Sequence, residues 1–145
     1  MEKNIAQIEQ ELRENFALFD DNLDKYEYII ELGKDLPPLD EKRKTDSRLV
    51  KGCQSKVWLH SFLNDEHKVV YEADSDTVIT KGIIAILVKL LSERSPEAIL
   101  QYNLTILDDI ELKELLTSQR SNGLAAMIKQ MKLDALVYQT QLQNS

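Results

Sequence analysis

The sequence predicts an α+β domain, a small antiparallel sheet of about three strands packed against several helices. Three observations lead there. Apolar residues recur at helical spacing near both ends of the chain. Two runs rich in β-branched and aromatic residues, 56–62 and 68–73, flank the turn-forming stretch Asn64-Asp65-Glu66. Residues 78–91 are apolar on nearly every side, the pattern of a helix buried all round.

Ile5, Ile8, Leu12 and Phe16 fall on one face among charges, so the chain opens with an amphipathic helix. Asp20 and Asp21 offer caps for a second, carrying Leu23, Tyr26, Ile29, Ile30 and Leu32, with Gly33 as its stop and Pro37-Pro38 barring continuation. Residues 36–47 read as a polar loop and 48–51 as a short strand. In the hairpin that follows, pairing Phe62 with Lys68 sets His60 opposite Val70, Trp58 opposite Glu72 and Lys56 opposite Asp74. Asp76 or Thr77 is placed to cap the buried helix. Gly82 inside it costs about 1 kcal/mol relative to alanine, a loss that a close crossing by another element would offset. Ser95-Pro96-Glu97 is a helix start, residues 107–116 another amphipathic helix, and Ser121 or Asn122 the expected cap of a last one over 123–136. One domain over 1–145 is expected, frayed in its first turn and after about residue 138.

Composition narrows the function. The 145 residues hold 43% hydrophobics and one cysteine, Cys53, so neither an internal disulfide nor a cysteine-held zinc or iron–sulfur site is expected. No apolar stretch is long enough to cross a membrane, the N-terminus lacks a secretory pattern, and a reducing cytoplasm is the expected location. A net charge of −7 argues against nucleic acid. Yet Lys42, Arg43, Lys44, Arg48, Lys51 and Lys56 surround Cys53 with only Asp46 against them, a local +5 that leaves −12 elsewhere. Such a field favours thiolate and draws anionic partners. An apolar pocket around the thiol would do the reverse, and both states are compatible with these residues.

Gly52 before the thiol implies a sharp bend, and Gln54 and Ser55 after it imply a turn. A cysteine hydrolase would need a histidine beside Cys53. His60, seven residues along an extended strand, lies roughly 23 Å away at about 3.3 Å per residue, and His67 lies at the far end of the hairpin. A helical adaptor with an incidental cysteine accounts for the helices but not for the basic charge and the Asp74-Ser75-Asp76 cluster gathered at one end. A thiol carrying sulfur or a redox load needs neither base nor second cysteine.

Gly52-Cys53-Gln54-Ser55 with Val57-Trp58 resembles the signature of the SufE/CsdE family of sulfur acceptors. So do Tyr26, Tyr28, Ile29 and Ile30 with Glu31-Leu32-Gly33-Lys34 and Leu36-Pro37-Pro38-Leu39 upstream. Downstream, Asp74-Ser75-Asp76 with Lys81-Gly82, then Arg120, Asn122-Gly123-Leu124 and Ala126-Met127-Ile128, match two further motifs. Ser118-Gln119 and Thr77 stand where the family often has proline-serine and alanine. The resemblance implies a fold shared with IscU-type scaffolds. It implies a non-enzymatic carrier that takes persulfide sulfur onto Cys53 from a SufS/CsdA-type cysteine desulfurase, stimulates that enzyme, and delivers to a SufBCD-type iron–sulfur scaffold. The chain would hold no cofactor and no metal, because pyridoxal phosphate (PLP) stays on the partner, and it would be a monomer or weak dimer. Gly52, Gln54 and Ser55 would shape the loop, Arg120 would stabilise the persulfide or contact the partner, and Asp74 and Asp76 would cap the buried helix while binding Lys56 or the backbone near Cys53.

Overall fold

The computed structural model describes residues 4–144; the expectation for the first turn of the chain falls largely on residues 1–3, outside that span. Helices α1 (Ile5–Ala17) and α2 (Asn22–Lys34) lead into a loop containing two single 3-10 turns, Glu41–Arg43 and Asp46–Arg48. The strands β1 (Val57–Leu63) and β2 (Val69–Ser75) follow, then α3 (Val78–Leu91), α4 (Pro96–Gln101), α5 (Ile106–Asp109), a 3-10 turn Leu112–Leu115, and the long α6 (Ser118–Gln143). The class is α+β, as expected.

Local chemistry sets most of the boundaries. Asn4 and Gln7 bond reciprocally at the start of α1, Asp21 accepts from Leu23 N–H at α2, and Ser95 accepts from Ala98 N–H ahead of Pro96 at α4. Thr117, not Ser121 or Asn122, caps α6, accepting from Arg120 N–H, so this helix begins five residues before Gly123. It also runs on to Gln143 rather than fraying after 138. Tyr138 is the reason: its hydroxyl donates to the Ser61 carbonyl at 2.7 Å and lies 3.1 Å from Ser61 Oγ, fastening the far half of α6 to β1.

Three further expectations change. The sheet has two strands; residues 48–51 contribute only a bridge from Leu49 to Trp58 and a bond from Val50 N–H to the Val57 carbonyl, because a 3-10 turn precedes them and Gly52 turns away after them. The register sits two residues from the expected one: Phe62 pairs with Val70, His60 with Glu72 and Trp58 with Asp74. Asn64 closes the hairpin directly against Lys68, its side chain accepting from Glu66 and Lys68 N–H while His67 takes a left-handed φ of 61°. Residues 107–116 are no single helix either. Glu111 turns left-handed (φ 55°) between α5 and the following 3-10 turn, and the bend lets Ile106, Leu107, Ile110 and Leu112 all enter the core.

α3 is the centre of the molecule. Ile84, Ile86, Leu87, Leu90 and Leu91 are fully buried, between α2 on one side and β2 on another. α2 crosses it where Gly33 meets Gly82, so Gly33 lies inside its helix as a contact residue rather than acting as a stop. A Cβ on Gly82 would lie 2.0 Å from the Ile29 carbonyl oxygen, and one on Gly33 would lie 2.7 Å from the Gly82 nitrogen.

Helix propensity alone would make Gly82→Ala stabilising by about 1 kcal/mol. The contact with Ile29 dominates instead. The substitution is expected to destabilise by about 2 kcal/mol or more, read as a lower urea midpoint at unchanged slope.

Candidate functional site

Gly52 has φ +93°, a conformation that side-chain-bearing residues rarely adopt, and a Cβ there would sit 3.3 Å from the Ala126 Cβ on α6. The bend delivers Cys53 against the first turns of α6. Its thiol, half-buried, donates to the Gly123 carbonyl with Sγ 3.6 Å from that oxygen. Beside it lies a cavity of about 30 Å³ lined by Ile83, Ile84 and Thr80 of α3 and by Arg120, Leu124 and Met127 of α6. That is room for one or two groups the size of water, and sulfur is only slightly larger.

The loop after Cys53 is pinned from the opposite side. Ser55 Oγ accepts from Thr77 Oγ1 at 3.1 Å and sits 3.5 Å from Thr80 Oγ1, tying the loop to the start of α3. Asp76 accepts from Lys56 N–H at 3.0 Å, while its own N–H and the Ser75 hydroxyl donate to the Lys56 carbonyl. Asp76 thus binds the backbone at the end of the loop that follows the thiol. Thr77 is the N-cap of α3, and neither aspartate caps that helix.

Asp74 does something else. It is 3% exposed, and it accepts from Leu39 and Ser75 N–H while Lys44 and Lys81 approach its two oxygens at 3.3 and 3.4 Å. Burial opposes its ionisation most strongly. The two N–H groups and two ammoniums together outweigh that cost and hold its carboxyl below the ordinary carboxylate value.

The basic residues do not act on the thiol in the way their sequence clustering suggests. Lys44 is taken up by Glu41 and Asp74, and Arg43 and Arg48 turn to His60. Burial therefore decides, and it pushes the Cys53 thiol above its ordinary value. Gln54 and Arg120 both reach the cavity wall, Gln54 from its exposed rim. No histidine lines the cavity, which leaves a hydrolase reading without a base. Among the described residues no cluster of His, Cys, Asp and Glu suits a metal, and no helix is long and apolar enough to cross a membrane.

Gly123 and Thr80 are the contributors that sequence reasoning passed over as site residues. Gly123 stood at the expected start of its helix, and only with α6 beginning at Ser118 does it lie inside one, where glycine sacrifices about 1 kcal/mol and a Cβ would come within 3.6 Å of Sγ. Thr80 carried no signal, since its hydroxyl points at Ser55 only because α3 starts where it does.

Two outcomes are expected. The alkylation rate of Cys53 in the folded protein rises with a midpoint above that of the same thiol in urea; a lower midpoint would mean that the basic residues govern it after all. Asp74→Asn destabilises by about 1–2 kcal/mol at neutral pH. Because the folded carboxyl titrates below its unfolded value near 4, its contribution is present above that value and lost as pH falls through the folded one, so the variant shows a flatter acid limb in pH-dependent thermal melts.

Comparison with known proteins bears on the same residues. A protein of Thermus thermophilus, described as hypothetical and solved in solution, superimposes with a TM-score of 0.74 over 92% of this chain and 96% of that one; at 21% identity it speaks for the fold. SufE-like protein 1 of Arabidopsis thaliana, chloroplastic/mitochondrial, is 42% identical over 127 residues, which is 88% of this chain but 34% of that longer protein. Uncharacterised SufE-like proteins of Rhizobium etli and Rhizobium meliloti are 39% and 37% identical, with 92% and 90% of their lengths covered. The model of the SufE domain, described as associated with Fe–S metabolism, matches residues 10–135, from within α1 to the middle of α6 and across every residue of the cavity. By that match and those identities the chain belongs to the SufE family.

Proposed function

We propose that this chain is a sulfur carrier of iron–sulfur metabolism, accepting persulfide sulfur on Cys53 from a SufS/CsdA-type cysteine desulfurase and surrendering it to a SufBCD-type scaffold in the cytoplasm. The observation that carries this reading is the thiol itself: half-buried beside a small cavity, with the Arg120 side chain on the wall and no base or second thiol next to it.

In the transfer, Cys53 gives up its proton and the thiolate attacks the outer sulfur of the donor's persulfide. A new S–S bond forms on Cys53, the donor's S–S bond breaks, and the donor cysteine leaves as thiolate, with no net oxidation or reduction. Delivery repeats the exchange with an acceptor thiolate. The raised proton affinity of Cys53 supports a resting form that is neutral and slow to react, so the proton leaves only when the donor is engaged. Arg120 offers a guanidinium to the persulfide anion, Gly52, Gln54 and Ser55 hold the loop, and Asp74 and Asp76 keep the strand end that anchors it in place. The chemistry of pyridoxal phosphate stays on the desulfurase, and this chain supplies a carrier and an activator as a monomer or weak dimer.

Incubation with a cysteine desulfurase and cysteine, followed by intact mass, tests the reading. Wild type is expected to gain one sulfur. Cys53→Ser should gain none while unfolding within about 1 kcal/mol of wild type, because the change nearly preserves volume. An adduct on the variant would sink the assignment. Desulfurase turnover that is the same with and without this chain would favour an adaptor role instead.

A further inference from the structure

On the outer face of the hairpin, among residues that do not line the Cys53 cavity, two guanidiniums converge on one imidazole. Arg43 Nη1 lies 3.0 Å from His60 Nε2, and Arg48 Nε lies 3.4 Å from His60 Nδ1. The two arginines come from the successive 3-10 turns, the second of which packs beside β1, and the Phe62 ring lies against the imidazole with its centroid 5.7 Å away. A neutral imidazole has one lone pair and one N–H. Whichever nitrogen carries the hydrogen, one guanidinium meets it donor to donor. The cluster therefore offers more N–H groups than it has acceptors.

Among the described residues neither guanidinium is neutralised by a paired carboxylate. Arg48 spends its remaining bonds on Thr45 Oγ1 at 3.2 Å and the Arg43 carbonyl at 3.5 Å. Glu72 stands across the ladder from His60, exposed and unpaired with either arginine. Lys44, over the Trp58 ring on the same face, adds positive charge that Glu41 and Asp74 share.

We propose that Arg43, Arg48 and His60 form a binding site for a dianionic oxyanion of the phosphate class. Guanidinium forks suit the several oxygens of a tetrahedral anion, and oxygens set between the imidazole and each of the two guanidiniums accept from both sides, which removes the clash of donors at either nitrogen. Binding draws a proton from solvent onto His60, since the protonated ring donates from both nitrogens. In the empty site the reverse holds: desolvation first, then Arg43 and Arg48, depress its proton affinity, with Glu72 opposing. The site is independent of the role given to Cys53.

The chain has two histidines, and His67, in the turn between the strands, is an internal reference. The ring protons of both are titrated by NMR in sodium chloride, inorganic phosphate and glycerol 3-phosphate at matched ionic strength. Saturating phosphate is expected to raise the proton affinity of His60 by about tenfold and leave that of His67 unchanged. Arg43→Gln and Arg48→Gln each shrink the rise. A larger response to the ester assigns the site to phosphate monoesters, and an equal one assigns it to the free anion. A His60 unmoved by either anion, one moving in step with His67, or a full rise in the double variant overturns the proposal.

Discussion

One buried carboxylate holds the neighbourhood of the thiol in register. Asp74 gathers the backbone of Leu39 from the proline loop, Lys44 from just after the first 3-10 turn and Lys81 from α3 around the end of β2. Isolated, a charge in that position would be untenable; four partners turn the desolvation cost into a point of attachment between layers. The next two residues of the same strand end, Ser75 and Asp76, grip Lys56, and Lys56 ends the loop that presents Cys53. The placement of the thiol is thus inherited from an ion cluster that does not touch it.

Much of this was legible from residue order. The all-round apolar run of α3, the glycine within it awaiting a close neighbour, the cap and proline before α4 and the bend at Gly52 are local signals, and they hold because each is decided by chemistry within a few residues. The failures have two causes, one within the turn and one far along the chain. The register moved by two because Asn64 satisfied the turn with its own side chain and a non-glycine residue, His67, accepted a left-handed φ. α6 outran its expected length because Tyr138 found Ser61, a partner 77 residues away. Asn64 marked the turn without fixing its length, and no local pattern announces the second bond.

The basic cluster is the most instructive case. Counting charges along the chain placed +5 around one sulfur, yet the fold turns Lys44 to Asp74 and Glu41, and Arg43 and Arg48 to His60. Sequence proximity fixed which residues were present, whereas side-chain direction fixed what they act upon. The electrostatic state of the thiol follows from the apolar walls supplied by α3 and α6, elements far from it in the chain.

The dimensions of the recess beside Cys53 carry one more consequence. Space for one or two water-sized groups shelters the first sulfur added to Cys53, whereas the outer members of a growing polysulfane would project into water. On the proposed reading, the recess favours a short cargo held close to the wall over a longer chain reaching into solvent.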